Sequence, residues 1–247
     1  MEKFVYSWSG GKDSALGLYE MQRAGARPEY LFTTVTRDYD RISMHGVRAD
    51  LLREQAGALG VSLWVVTIPA NCTNQVYEEI MAEQMQKLLA AGITRVAFSD
   101  IFLEDVRRYR EDNLSRAGME AVFPLWGRDT AMLAGRFREL GFQAAVTCVD
   151  GNALDGSFAG KEYDRHFLDS LPAGVDPCGE NGEFHCFVYD GPLFSRPLRF
   201  RQGEVVKREG RFYFQELVPA GGASKQAAMG RSEACCTTFG GNKYMGG

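Results

Sequence analysis

Short apolar runs and amphipathic segments alternate along residues 1–150 of the chain. Runs rich in aromatic and β-branched residues predict strands, which cover residues 4–8, 30–35, 62–67, 96–98, 121–123 and 144–149. Apolar residues at helical spacing predict helices between them, the clearest at 15–21, 49–59, 74–91 and 130–140. Because strands that alternate with helices pair in parallel, the pattern predicts an α/β fold: a doubly wound, mostly parallel sheet with helices on both faces.

The pattern changes after Asp150. One helix is predicted over 163–171, and short apolar runs predict a small antiparallel meander over 198–217. Few large apolar side chains follow residue 219, so the sequence predicts a flexible end there. We therefore expect a first domain at 1–150, a smaller α+β domain at 151–219 and a tail at 220–247.

Composition and charge narrow the classes of partner. The 247 residues are 45% hydrophobic and 24% charged, and their net charge is −4. A protein that holds tRNA or DNA normally carries a basic excess, so we expect a small or protein-borne substrate rather than nucleic acid. No apolar run approaches the ~20 residues of a membrane span, and we see no signal peptide, so we expect a cytoplasmic protein.

The sequence SGGKDS at residues 9–14 lies between the first predicted strand and the first predicted helix. Gly10 and Gly11 allow a turn whose N–H groups point inward, and the following helix N-terminus adds partial positive charge. Lys12 supplies a full positive charge, Asp13 a carboxylate suited to Mg²⁺, and Ser14 a hydroxyl at the expected helix N-cap. This spacing is not that of a Walker A loop, but it predicts a phosphate-binding turn.

Polar residues also stand at the ends of later predicted strands. Ligands in doubly wound sheets bind beyond the carboxyl ends of strands, so we expect Thr34 near an adenine edge and Asp100 near a metal or catalytic group. Glu104 follows Asp100; it is either a substrate-binding residue or an acid that favours the start of a helix. In MHGVR at 44–48, His45 and Arg48 either bind an anion or carboxylate or belong to a loop that enters a helix.

A second polar stretch, GENGEFH at 179–185, precedes an apolar strand. Glu183 and His185 are two residues apart and share one side of an extended segment, and Glu180 can fold back across Gly182. Carboxylate and imidazole groups on a glycine-bent loop are candidates for acid–base chemistry.

The chain resembles the N-type ATP pyrophosphatase (PP-loop) family, which includes the diphthine-ammonia ligases. The resemblance covers about residues 1–217. It rests on SGGKDS at 9–14, MHGVR at 44–48, SDIFLEDVRRYRE at 99–111, FPLWGR at 123–128 and GENGEFHCFVYDGP at 179–192. The MHGVR sequence is similar to that of the bacterial branch of the family. Two residues depart from the family pattern: Ser99 replaces a glycine and Cys186 replaces a threonine.

The resemblance implies a five-stranded parallel core that binds ATP on residues 9–14, including Ser9, and a C-terminal domain whose GENGEFH loop closes the cleft. It also implies adenylation of a carboxylate, release of pyrophosphate and attack by ammonia to give an amide. The acceptor that the resemblance implies is a small molecule or a protein side chain that bears a carboxylate.

We assign roles on this basis. Gly10, Gly11 and Ser14 would hold the β- and γ-phosphates, and Lys12 would offset charge on the leaving pyrophosphate. Asp13 and Asp100 would hold Mg²⁺.

The second half-reaction would use Glu180, Glu183 and His185 to bind ammonium and take its proton. His45 and Arg48 would orient the acceptor carboxylate, with Glu104 as a further substrate contact.

Two alternatives stay open: a PP-loop enzyme that modifies RNA, and an ATP- or AMP-binding protein of the same fold without catalysis. The six cysteines include no C-x-x-C pair for sulfur transfer, which argues against the first. We also allow for a homodimer.

Overall fold

The computed structural model describes residues 2–37, 41–42, 46–70 and 72–220. Its strands are β1 (Phe4–Ser7), β2 (Tyr30–Thr36), β3 (Arg41–Ile42), β4 (Leu63–Ile68), β5 (Arg95–Ala97), β6 (Glu120–Val122), β7 (Gln143–Asp150), β8 (Phe184–Asp190), β9 (Phe200–Arg208) and β10 (Phe212–Pro219). Its α-helices are α1 (Lys12–Arg23), α2 (Ala49–Leu59), α3 (Asn74–Ala90), α4 (Glu104–Arg116), α5 (Thr130–Glu139) and α6 (Arg165–Asp169), and a 3-10 turn covers Gly156–Phe158.

The first sheet has five parallel strands in the order β4-β2-β1-β5-β6. Val5 of β1 pairs with Tyr30 on one side and with Val96 on the other. The short strand β3 pairs antiparallel with the end of β2. This architecture confirms the predicted doubly wound α/β fold with a five-stranded parallel sheet.

Helices cover both faces of this sheet, which explains why its central strand is buried throughout. Successive side chains of a strand point to opposite faces. Tyr6 therefore lies in an apolar cluster with α1 and α2, and Val5 lies in a second cluster with Met85 and Leu88 of α3 and Leu114 of α4. A strand buried on both faces carries a continuous apolar run, as β1 does.

The second sheet is antiparallel, in the order β8-β7-β10-β9. The strand predicted at 144–149 was expected in the parallel sheet, and the structure corrects this: β7 is an inner strand of the second sheet. All its residues except Gln143 are buried, and such a run looks the same in either kind of sheet, so the pattern could not decide between them.

Two further predicted elements in the second half of the chain have different bounds in the structure. The meander has two long strands, β9 and β10, joined where Glu209 and Gly210 adopt φ of 52° and 64°. Left-handed residues at a tight turn suit the twist of a hairpin. The helix predicted over 163–171 is limited to α6, whose N-cap Asp164 accepts a hydrogen bond from the Phe167 N–H at 2.9 Å.

The two sheets share one apolar core. The cluster that contains Tyr6 and Leu16 continues through Phe137 of α5 to Phe187 and Leu217 of the second sheet. This shared core holds the second sheet against the helices beside the glycine turn. Among the described residues, no helix combines the length and apolarity that a membrane span requires. Residues 221–247, most of the predicted tail, lie outside the described part of the chain.

Candidate functional site

The glycine turn lies at the point where the strand order of the parallel sheet reverses. β1 has β2 on one side and β5 on the other, and open α/β sheets bind ligands at the carboxyl ends of strands at such a point. Residues 8–11 follow β1 and residues 98–103 follow β5 at this edge. We call residues 9–14 the phosphate loop.

Hydrogen bonds within the phosphate loop stabilise its conformation. Gly10 has φ of +78°, a conformation that favours glycine. The Ser9 hydroxyl accepts from the Gly11 N–H at 3.3 Å, and the Ser14 hydroxyl donates to the Gly11 carbonyl at 2.9 Å. The N-cap of α1 is Gly11, so the prediction that Ser14 occupies this position is wrong. No side chain caps α1, and its first N–H groups suit an anion.

A cavity of about 210 Å³ lies over the phosphate loop. Its wall comes from three segments: the loop with the start of α1, the turn after β5 with α4, and the 178–186 segment of the second half. The lining residues are Ser9, Gly11, Lys12, Asp13, Ser14, Ser99, Asp100, Leu103, Val106, Cys178, Gly179, Glu180, Asn181, Gly182, Phe184, His185 and Cys186. The structure thus brings the two polar stretches of the sequence together around one space.

Lys12 crosses this cavity. Its side chain is only 5% exposed, and Nζ lies 2.7 Å from Asp13 Oδ2 and donates to the Cys178 carbonyl. Nζ also lies 5.4 Å from the centre of the Phe184 ring. Burial opposes the charge on Lys12, but Asp13 and the surrounding groups outweigh it, so the pKa of Lys12 is well above its ordinary value. Lys12 is therefore a permanent positive charge.

Glu180 reaches the same cavity from the second half of the chain. Its Oε1 accepts a hydrogen bond from the Ile101 N–H at 2.7 Å. Burial first, and the charges of Asp13 and Asp100 in addition, raise the pKa of Glu180 to about 8, although the Ile101 hydrogen bond opposes this. A carboxyl group that changes charge near neutral pH is suited to proton transfer.

Glu183, predicted to act on substrate, does not line the cavity. Its carboxylate is buried and accepts from the Asp176 N–H at 3.1 Å, the Asn181 N–H at 3.0 Å and the Asn181 side-chain amide at 3.0 Å. Asp176 in turn accepts from the Glu180 N–H at 2.9 Å. These contacts fix the bend of the 176–183 loop, so Glu183 holds the segment that presents Glu180.

His185 and Cys186 line the cavity from the start of β8. Burial raises the pKa of the Cys186 thiol to about 12, although the charge of Lys12 opposes this. Cys186 therefore stays protonated and is a poor nucleophile.

Asp100 lies at the tip of β5 in a buried ion pair. Its Oδ2 is 2.8 Å from Arg110 Nε, and its Oδ1 accepts from Arg110 Nη2 at 3.2 Å. The guanidinium of Arg110 also lies 4.4 Å from the centre of the Phe98 ring. Both side chains are about one-tenth exposed, at 10% for Asp100 and 9% for Arg110.

A second cavity, of about 330 Å³, adjoins the first. Thr34 lines it with residues from β1, β2, α3 and α4; the lining residues are Ser7, Phe32, Thr33, Thr34, Tyr77, Glu78, Met81, Ala82, Met85, Gln86, Val96, Phe98, Tyr109, Arg110, Asn113, Leu114, Arg116 and Ala117. The two linings have no residue in common but use neighbouring ones: Ser7 and Phe98 line one cavity and Ser9 and Ser99 the other, and Arg110 of the larger cavity pairs with Asp100 of the smaller.

Of the remaining predicted substrate residues, Glu104 and Arg48 do not line either cavity. Glu104 is the exposed first residue of α4. Arg48 donates from Nε to Glu216 Oε1 at 3.2 Å, and the same oxygen accepts from Arg41 at 2.9 Å. The Arg48 guanidinium is thus engaged by a carboxylate of the second sheet. His45 lies outside the described residues.

Two residues that sequence reasoning missed contact this region. Arg110 pairs with Asp100 from α4, and Gln55 of α2 bonds the phosphate loop. Gln55 did carry a signal, because it is a polar residue on the buried face of α2 between Leu52 and Ala56. The signal for Arg110 was weaker, since the segment around it is rich in arginine.

The donor set fits a nucleotide with magnesium. The open backbone of the phosphate loop and Lys12 suit phosphate oxygens. Asp13 and Asp100 line the same cavity, and within the described residues no three metal-binding side chains converge. Mg²⁺ is commonly bound by one or two carboxylates with substrate phosphates completing its ligands, and two carboxylates at this cavity match that donor set.

Comparison with known proteins agrees with the motifs. The family model described as the diphthamide synthase N-terminal domain matches residues 2–121, and the model of the diphthamide synthase C-terminal domain matches residues 129–216. Diphthine–ammonia ligase of Schizosaccharomyces pombe is 24% identical over 225 residues, which cover 81% of this chain and 36% of that protein. The human diphthine–ammonia ligase is 26% identical over 229 residues, which cover 80% of this chain and 82% of that protein.

Among solved structures, the chain is similar to a protein of Methanocaldococcus jannaschii described as a predicted subunit of tRNA methyltransferase. The TM-score is 0.43 and the identity 18%, with 76% of this chain and 96% of that chain covered. The two family models together span most of the chain, in the order of its two sheets. The chain therefore belongs to the diphthamide synthase family of PP-loop proteins.

Proposed function

We propose that the protein is an ATP-dependent ligase that adenylates a carboxylate and then converts it to an amide with ammonia. The observation that carries this proposal is the shared cavity: the phosphate loop supplies one wall, the 178–186 segment supplies another, and Lys12 and Glu180 reach across it. A site built from both halves can hold the nucleotide and the group it activates at the same place. The names of the relatives, diphthine–ammonia ligase, support an acid and ammonia as substrates.

The first half-reaction uses the phosphate loop. N–H groups at the start of α1 and the Lys12 ammonium would bind the β- and γ-phosphates. A carboxylate oxygen of the acceptor attacks the α-phosphorus, the bridging α–β bond breaks, and pyrophosphate leaves with its charge offset by Lys12. Asp13 and Asp100 would hold Mg²⁺, which would supply further positive charge to the phosphates, and Arg110 pairs with Asp100.

The adenosine would occupy the larger cavity. Thr34 and the rings of Phe32 and Phe98 line this cavity. An apolar wall with a few polar groups suits adenine, which is a flat ring with polar edges. Because the segments after β1 and β5 contribute neighbouring residues to both linings, one ATP molecule would extend from one cavity to the other.

The second half-reaction uses Glu180. Its carboxylate would bind ammonium and take a proton, so that neutral ammonia attacks the acyl carbon, the new C–N bond forms and the C–O bond to AMP breaks. His185 lines the same wall and would help to orient the ammonia.

A sulfur-transferring enzyme that acts on RNA is the competing proposal, because Cys178 and Cys186 line the cavity. Burial raises the pKa of both thiols, and a protonated thiol is a weak nucleophile. This observation favours the amide ligase.

The test incubates the protein with ATP, magnesium, ammonium and a panel of carboxylates that includes a diphthine-containing peptide. AMP and pyrophosphate formed in amounts that depend on both ammonium and the acceptor are the expected products. ADP as product, or ATP turnover that requires RNA and a sulfur donor, would refute the proposal. A catalytically silent nucleotide binder would leave ATP unchanged under every condition.

A further inference from the structure

Gln55 is a fully buried amide at the junction of three segments. Its exposed fraction is 0%, and it lies on α2. Its Oε1 accepts from the Trp8 Nε1–H at 2.9 Å, and its Nε2 donates to the Gly10 carbonyl at 3.0 Å and to the Val188 carbonyl at 2.6 Å. Both N–H groups of the amide are therefore used, as a buried polar group requires.

Val188 is one of the residues through which the second sheet contacts the phosphate loop. It belongs to β8, the outer strand of that sheet, whose other side pairs with β7. The Val188 N–H donates to the Gly10 carbonyl at 2.9 Å, while its carbonyl accepts from Gln55. Both backbone groups of this edge residue are thus satisfied by the phosphate loop and by the amide that supports it.

Gly10 of the phosphate loop packs closely against α2. A Cβ at Gly10 would lie 2.7 Å from Gln55 Oε1 and 2.9 Å from Leu52. Gly10 also has positive φ, so both its backbone conformation and its close approach to Gln55 favour glycine at this position. Two residues before Val188 stands Cys186, and one residue further back His185, both in the cavity wall.

We propose that Gln55 is a positioning residue that locks the phosphate loop to β8, and that this lock sets the spacing between the nucleotide and the wall that carries His185 and Cys186. This proposal depends on the function proposed above in one respect, the binding of ATP to the phosphate loop. Without the amide, Gly10 keeps one bond to Val188, but the Val188 carbonyl and the Trp8 indole lose their partners. A buried group left without a partner favours movement toward water, so the loop and the strand should separate.

The test compares Gln55→Met, which keeps the volume and removes the hydrogen bonds, with Leu51→Met, a volume-conserving change at an equally buried position of the same helix. Amide hydrogen exchange is followed at Val188 with and without ATP, and ATP affinity is measured by calorimetry in the presence of magnesium. In Gln55→Met we expect exchange at Val188 about tenfold faster or more, and ATP affinity lowered by about tenfold to a hundredfold. Exchange in the β9–β10 hairpin should stay as in the native protein.

The positioning role has a signature of its own. In the native protein ATP should slow exchange at Val188, because both respond to the same loop, and in Gln55→Met this protection should disappear. A merely structural role would lower the melting temperature of the variant while leaving the ATP-dependent protection in place, and that result would overturn the proposal. Native exchange and native affinity in Gln55→Met would overturn it as well.

Failure of the proposed function gives a different result. If the native protein itself does not bind ATP, the nucleotide proposal fails, and exchange at Val188 without ATP still decides whether Gln55 joins the loop to β8. Should Gln55→Met not fold, Gln55→Asn, which keeps the amide but shortens its reach, provides the same comparison.

Discussion

Glu180 and Ile101 join two walls of the cavity through a hydrogen bond, from the Ile101 N–H to the Glu180 carboxylate at 2.7 Å. Ile101 follows β5 of the parallel sheet, and Glu180 belongs to the loop that leads into β8. The carboxyl group that makes this link has its pKa raised to about 8 by burial and then by the charge of Asp13. Its charge therefore changes as the pH passes through about 8.

Glu180→Gln should lower the rate of amide formation by about 10²- to 10⁴-fold, the usual contribution of a general base. In the native protein the active, ionised form of Glu180 increases as the pH rises through about 8, since the group must lose its proton first. The measurement is the rate of amide formation at saturating ATP and acceptor, from about pH 6 to about pH 9.

Free ammonia also increases with pH, so the ratio of native to variant rates at each pH is the informative quantity. That ratio should rise through about pH 8 and then level off. A ratio that stays constant with pH would contradict the role of Glu180 as the base.

The same group should make stability depend on pH. The folded-state pKa of Glu180 is raised, so its favourable contribution is complete below about 4.5, the ordinary value, and is lost as the pH rises through about 8. Glu180→Gln keeps the acceptor for Ile101 and cannot ionise. We expect its melting temperature to exceed that of the native protein by several degrees at about pH 8, at roughly 2–4 °C per kcal/mol, and the difference to shrink toward about pH 5. Melting curves of the two proteins at both ends of this range test the sign.

Lys12→Ala should lower AMP formation by about 10²- to 10³-fold, because it removes a positive charge placed against the leaving pyrophosphate. Lys12→Arg is the matched control: it keeps the charge but replaces the compact ammonium beside Phe184 with a larger, planar guanidinium, so an intermediate rate is expected. The measurement is AMP released per enzyme under single-turnover conditions. Full turnover by Lys12→Ala would remove the phosphate role of this residue.

Glu183→Ala should stop amide formation by releasing the loop that presents Glu180. It leaves the N–H groups of Asp176 and Asn181 without their acceptor, and we expect a loss of about 2–4 kcal/mol in the free energy of unfolding. Urea unfolding and product yield are measured beside Glu139→Ala, a change at an exposed residue. An unchanged product yield in Glu183→Ala would show that the loop does not need this carboxylate.

The phosphate loop could be found from the sequence because all its parts are contiguous. A strand, a glycine turn and a helix follow one another within residues 4–23, and local rules describe each of them. The parallel sheet was predicted for the same reason, since alternation of strands and helices is visible along the chain. Adjacent side chains such as Lys12 and Asp13 were likewise assigned to one site.

Contacts between distant residues could not be found in this way. Arg48 was expected to meet a substrate carboxylate, but Glu216, 168 residues away, occupies its guanidinium. The carboxylate of Glu183 turns into its own loop, because the backbone bends at Gly182, where φ is 87°. Residue type indicated the chemistry of these side chains, whereas the direction in which each one points depends on the packing of two sheets.

The apolar cluster that runs from Tyr6 and Leu16 through Phe137 to Phe187 has a consequence for how the protein unfolds. The parallel sheet has a cluster of its own on the face of α3 and α4, but the cluster on its other face is shared, because α1, α5 and β8 pack around the same side chains. Heating should therefore melt both halves in a single cooperative transition, and a fragment cut between α4 and α5 should lack a stable native state. The two segments matched by the family models would then not be two independently folding units.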